Sequence, residues 1–300
     1  MLGAGVHRIP DVGSDTGKVT GMKRSFANAE AWSGRKKRAR STSYYYESKQ
    51  TGEEPLTRVE EQFICRYAYG RAAESVLMSE KSQDFMAFAI DRDVCRFVLC
   101  DGVGLSYRGD VASQLLGRGL MGWLYSQDEL SQASLERKLL ELTEEAEREM
   151  RSLTVDANAP KLLREVLEEK QRMGSEAMYV CGRIELPTRF RRKGRLWLAW
   201  QGDSRLRLWQ GQHEISPIFG DRFRTAERWS SKNGPVGGKP HVYQGRLEHE
   251  SGYRLQMYSD GLNDLDPMKE PIPDDQVQVL MNALHTGGLE DDASFLEIMW

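Results

Sequence analysis

Cysteine is scarce in this chain and unpaired in spacing. Four residues (Cys65, Cys95, Cys100, Cys181) lack any CxxC arrangement, which argues against a zinc ribbon or a disulfide framework. Three of them fall in apolar, strand-like runs and read as reduced, buried thiols. No apolar stretch approaches the roughly 20 residues of a membrane span. The N-terminus also lacks the apolar core of a signal peptide. Neither sign of charge is in excess, since the formal net charge is −3, so no global field marks the chain as a nucleic-acid or membrane binder. Histidine contributes five residues (His7, His213, His241, His249, His285), none of which falls in a motif. What remains is a soluble, cytoplasmic globular protein. With 300 residues, 39% of them hydrophobic, it can bury a substantial core in one large domain or two small ones.

The texture changes along the chain. Residues 1–55 are rich in Gly, Ser, Lys and Arg without apolar period, and they read as a disordered basic tail. The tail carries a basic run, Arg35–Arg40, which raises nuclear localisation as an option in a eukaryote. Ser41, Thr42, Ser43 and three tyrosines follow as candidate phosphate acceptors. Residues 56–300 form the folded domain. Within it "FICRYAYGRA", "DFMAFAI", "CRFVLCDG", "AMYVCGRIEL", "RLWLAWQGDSRLRLW" and "YRLQMYSDGL" read as strands. Residues 111–125, 128–153 and 159–171 carry apolar residues at three- and four-residue spacing, predicting one-sided helices that pack on something flat. The strands come in hairpin-like runs and the long helices cluster centrally, so the fold class is α+β, a layered sandwich.

Aspartates stand beside small residues at several predicted strand ends: Asp84 in "SQDFMAF", Asp101 in "CDGVG", Asp203 in "QGDSRL", Asp260 and Asp264 in "YSDGLND", and Asp291 and Asp292 in "LEDDASF". Taken singly, an Asp-Gly pair is a turn signal. Together they read differently, because Asp101 and Asp260 each follow an apolar run and Asp291 precedes one. An assembled sheet would gather their carboxylates at one end, where like charges need a cation between them. Oxygen-only clusters suit Mg²⁺ or Mn²⁺.

The order and spacing of "SQD", "DGVG", "MGSEAMYV", "GDSRLRLW", "SDGLND" and "DDASFLEI" resemble the successive motifs of the PP2C-like (PPM) metal-dependent protein serine/threonine phosphatases, over about residues 60–300. The resemblance implies a four-layer αββα sandwich of two antiparallel sheets flanked by helices, with two Mn²⁺ or Mg²⁺ ions at one edge and a third ion as an option. It implies metal binding by Asp101, the Gly102 carbonyl, Asp260 and Asp291, with Asp84 acting through water and Asp203 in support. Asp84 and Asp101 are the catalytic candidates. Phosphorylated proteins are the implied substrates and a serine/threonine kinase the implied opposing partner, with no membrane and no nucleic acid expected.

The chain also departs from that pattern. Ser79 lies near the place of the family's phosphate-binding arginine, leaving Lys81 and Arg71 as the nearest cations. Val103 follows the Asp-Gly pair, and "MGSE" (Met173–Glu176) supplies no evident acid for a third ion, for which Glu168 or Glu169 are the substitutes within reach of the motif. These departures keep a second reading open, a catalytically impaired relative acting as a regulatory binding module.

Overall fold

Strand-forming runs of aromatic, β-branched and small apolar residues dominate the chain beyond residue 60, and they pair into two sheets. The computed structural model describes residues 44–155, 158–220, 224–247, 252–282 and 288–300. Among them the first sheet contains β1 (Tyr44–Glu47), β4 (Phe85–Asp91), β5 (Val94–Gly102), β6 (Glu176–Glu185), β7 (Gly194–Gln201), β10 (Arg228–Ser230), β11 (Gly234–Val236) and β12 (His241–Leu247). Its path runs β1-β4-β5-β6-β10-β11, with β7 pairing both β6 and β12. The second sheet has the order β2-β3-β14-β13-β8-β9, from β2 (Glu54–Glu60), β3 (Ile64–Gly70), β14 (Ala293–Met299), β13 (Tyr253–Tyr258), β8 (Arg205–Gln210) and β9 (His213–Glu214). Strand pairing within both sheets is antiparallel.

The period of two fixes the layers. On β4, Met86, Phe88 and Ile90 face the second sheet and join Tyr67, Leu208, Met257 and Leu296 in the central core. The alternate residues Phe85, Ala87 and Ala89 face outward. That outer face is covered by α2 (Gly109–Ser126) and α3 (Gln132–Ser152), whose Leu116, Leu120, Leu124, Leu135, Leu139 and Leu142 are buried in the same cluster. Ser131 starts α3 by accepting the Ser134 N–H at 3.2 Å, satisfying an N–H that the helix itself leaves free. A third cluster joins Ala68, Tyr258 and Phe295 of the second sheet to Val277 and Met281 of α5 (Asp274–Met281). Three apolar interfaces between four layers make the αββα sandwich. All four cysteines are free and buried.

Two expectations change. Residues 44–55 belong to the domain rather than to a tail. Strand β1 pairs β4 from Tyr44↔Ile90 to Glu47↔Ala87, and buried Gln50 donates from Nε2 to the carbonyls of Ser82 (3.0 Å) and Asp110 (2.8 Å). The three tyrosines are accordingly packing residues: Tyr44 and Tyr46 lie against the central core, and the Tyr45 hydroxyl donates to Glu47 at 2.6 Å. The basic run and Ser41–Ser43 lie outside the described residues. The second change concerns α4 (Lys161–Met173), which forms where predicted but buries none of its residues, leaving Leu162 and Leu163 exposed. It is tied down near its C-terminus, where Gln171 Nε2 donates to the carbonyls of Met150 (3.1 Å) and Leu153 (2.6 Å). Short α1 (Ala73–Leu77) connects β3 toward β4.

Candidate active site

Antiparallel pairing sends the C-terminal ends of β3, β5, β7 and β13 and the N-terminal ends of β4, β8 and β14 to one edge of the sandwich. Asp101 is the penultimate residue of β5. Asp260 opens the 3-10 turn Asp260–Leu265 that follows β13. Asp203 sits where the chain leaves the first sheet at β7 and enters the second at β8. The sequence had this stretch as a single run. The corner is made at Gly202, whose φ of +115° is a left-handed angle that a side chain would strain.

The three carboxylates converge: one ligand oxygen from each of Asp101, Asp203 and Asp260 lies within 4.8 Å of the other two, and all three residues are half-buried. Close backbone packing holds the two strand-end residues in place. A Cβ on Gly102 would overlap the carbonyl oxygens of Gly109 and Gln83, and one on Gly261 would overlap that of Asp292. The glycine after each aspartate is therefore required by the neighbouring chain.

Asp84 and Asp292 lie deeper. Asp84 is 1% exposed, and its Oδ2 accepts the Ser259 hydroxyl at 2.7 Å. Asp292 accepts the backbone N–H of Ala72 at 2.7 Å and of Gln83 at 2.6 Å, clamping both ends of the α1 segment beside the cluster. Asp291 is the more exposed of the set, and its Oδ1 accepts the Asp292 N–H at 2.7 Å.

Crowding appears in the proton affinities. Burial pushes the Asp101 carboxyl well above the usual carboxylate range, and the charges of Asp84, Asp260, Asp203 and Asp291 push it further. Asp84 is raised well above its ordinary value by burial, then by Asp292, against the hydrogen bond from Ser259. Burial followed by Asp203 raises Asp260. Burial also raises Asp291, against the Asp292 N–H. Asp203 adds a second sign of an unmet charge, because its Oδ1 is buried and has no hydrogen-bond partner. A carboxylate oxygen without a donor, facing two more carboxylates, fits a hard divalent cation that takes oxygen ligands.

Of the residues named from sequence, Asp101 and Asp260 stand in the cluster itself, with Asp203, implied as support, as close as either. Asp84 and Asp291 adjoin it, each acting on Asp101 through its charge. The two candidate phosphate-binding cations are placed differently. Arg71 Nε donates to Glu53 at 2.7 Å and its Nη1 to the Glu80 carbonyl at 3.1 Å, while Lys81 is exposed. Glu168 and Glu169 sit on the open face of α4, near Arg164 (3.9 Å) and Arg172 (2.5 Å), outside the carboxylate cluster. The sequence reading named Asp292 without a role and missed Ser259 and Gln50. Ser259 and Gln50 are single polar residues whose partners are distant in the chain, so no local pattern marks them.

No family model and no curated protein matches this sequence. Solved structures do match. A bacterial serine phosphatase superposes with a TM-score of 0.52 at 15% identity, covering 78% of this chain and 96% of that one. The serine/threonine phosphatase Stp1 from Staphylococcus aureus gives 0.53 at 16% identity, over 82% and 97%. RsbX in complex with magnesium gives 0.51 at 12%, over 81% and 98%. The chain therefore has the sandwich fold expected from its motifs, spanning nearly the whole length of these phosphatases.

Proposed function

We propose that this chain is a metal-dependent phosphatase acting on phosphoserine and phosphothreonine in proteins, with its site at the Asp101–Asp203–Asp260 cluster. The observation that carries the reading is the convergence of those three carboxylates within 4.8 Å of one another, one of them with an orphaned buried oxygen. In this reading Asp101, the Gly102 carbonyl, Asp260, Asp291 and Asp203 hold two Mn²⁺ or Mg²⁺ ions, with a third optional. Such ions supply charge neutralisation for a phosphoryl group and acidification of nearby water. The protein's own part is geometric. Strand ends and glycine-tight turns fix the carboxylates before substrate arrives, and Ser259 fixes Asp84. Asp84 accepts a proton from the attacking water. Water adds to phosphorus, the bond to the serine or threonine oxygen breaks, and that oxygen takes up a proton from solvent while Asp84 returns its own to solvent, leaving a free hydroxyl and inorganic phosphate. A serine/threonine kinase is the implied opposing partner, and the cytoplasm the implied setting.

One observation favours the alternative of a catalytically impaired binding module: Arg71, the nearest arginine in sequence, is engaged by Glu53 and the Glu80 carbonyl. Phosphate release from a phosphothreonine peptide, with and without Mn²⁺, separates the two readings. Mn²⁺-dependent release supports the phosphatase. Metal-induced thermal stabilisation without any release supports the binding module, and neither response rejects the site.

A further inference from the structure

The opposite end of the sandwich carries charge of the other sign. There the hairpin between β6 and β7 contains Arg189, Phe190, Arg191, Arg192 and Lys193, followed by Arg195 at the start of β7. One arginine builds the turn. Arg191 donates to Asp93 at 2.8 Å and to the Leu186 carbonyl at 2.7 Å, and Thr188 N–H donates to the Arg191 carbonyl at 2.7 Å. The others point out. Arg189, Arg192, Lys193 and Arg195 are exposed, and exposed Arg246 stands directly across from Arg195 on β12. At the tip Phe190 is 85% exposed, with the Arg189 guanidinium 4.5 Å from its ring centre. A pinned turn that projects a bare aromatic ring among cations is unusual for a surface that faces only water.

We propose that this hairpin seats the protein on an anionic lipid surface, with Phe190 entering the boundary between headgroups and acyl chains and Arg189, Arg192, Lys193 and Arg195 meeting lipid phosphates. Shape favours a flat lipid surface over a nucleic acid. The basic element is a convex tip with a single ring, whereas strand-binding proteins offer a basic groove with stacked platforms. The concavity beside it, about 450 Å³, is lined by Glu61 and Asp93 as well as Arg92, and its carboxylates oppose a phosphate backbone. No helix among the described residues is long and apolar enough to cross a membrane, and a surface-lying contact requires none. Seated this way, the protein turns its carboxylate end toward solution.

The test is flotation of the full chain with phosphatidylcholine vesicles made with and without phosphatidylglycerol, at two salt concentrations. The wild type is expected to float only with the anionic vesicles, and less at high salt. Together, Arg189→Gln, Arg192→Gln and Lys193→Gln should weaken the association about tenfold or more. Phe190→Ser should weaken it several-fold while keeping the salt dependence. All four side chains are exposed, and thermal midpoints equal to that of the wild type confirm that the variants fold. The proposal is overturned if the wild type ignores anionic vesicles, binds neutral ones equally well, or floats undiminished with the charges removed. It is also overturned if the same substitutions abolish binding to a single-stranded oligonucleotide while no vesicle binds.

Discussion

The two ends of the sandwich concentrate opposite charges by opposite means. At the carboxylate end Asp101, Asp203 and Asp260 come from three separate segments of the chain and are held where glycines admit no side chain. At the far end the cations sit close together on one hairpin, whose turn Arg191 ties to Asp93 and to the Leu186 carbonyl. Burial raises the proton affinity of Asp101 and Asp260 at the first end, while exposure leaves the second solvated. Like charges can be forced together only where many backbone contacts oppose their repulsion. A charged surface for loose, long-range attraction needs no such framework.

The most severe way to break this contrast is Asp101→Asn, which is nearly isosteric but removes one charge from the cluster. Mn²⁺-dependent hydrolysis of a phosphothreonine peptide should fall by several orders of magnitude, measured as kcat/KM. The metal-free variant should melt at or slightly above the metal-free wild type. A carboxyl whose proton affinity is raised on folding destabilises the native state when ionised, so a neutral amide relieves that repulsion near neutral pH.

Gly261→Ala attacks the framework instead of the charge. Its Cβ would meet the Asp292 carbonyl oxygen, so the turn must shift, and we expect a loss of about 1–3 kcal/mol in denaturant unfolding together with weakened metal binding. A third test redraws the domain's edge. Removing residues 1–43 should leave the thermal midpoint nearly unchanged, whereas removing residues 1–50 strips β1 and the Gln50 hydrogen bonds, at about 2–4 kcal/mol. The smallest effect is expected at the basic end, where Arg192→Gln with Lys193→Gln should change stability by less than about 0.5 kcal/mol and leave hydrolysis of a soluble peptide unaltered.

Much of this was legible in the sequence because the signals were long or repeated. Runs such as Phe85–Ile90 and Phe97–Cys100 are apolar throughout, which fits strands buried on both faces, and α3 announces itself by Leu135, Leu139 and Leu142. Where the signal was short, the reading failed. Strand β1 has four residues beside a basic, serine-rich stretch, too few to show a period, and it was assigned to the tail. The α4 pattern was a sound helix signal, yet periodicity does not say whether another layer stands opposite, and Leu162 and Leu163 face solvent. At the site, aspartates followed by glycine were visible as a set. The place of Asp203 within the cluster was not, because it depends on the chain changing sheets at Gly202.

The central claim is that Asp101, Asp203 and Asp260 form one cation site, and calorimetric titration of the full chain with Mn²⁺ tests it without reference to turnover. Wild-type protein should bind Mn²⁺ saturably, and Asp101→Asn, Asp203→Asn and Asp260→Asn should each weaken binding about tenfold or more. A wild type that binds no Mn²⁺, or three variants that bind it as tightly as the wild type does, would contradict the account.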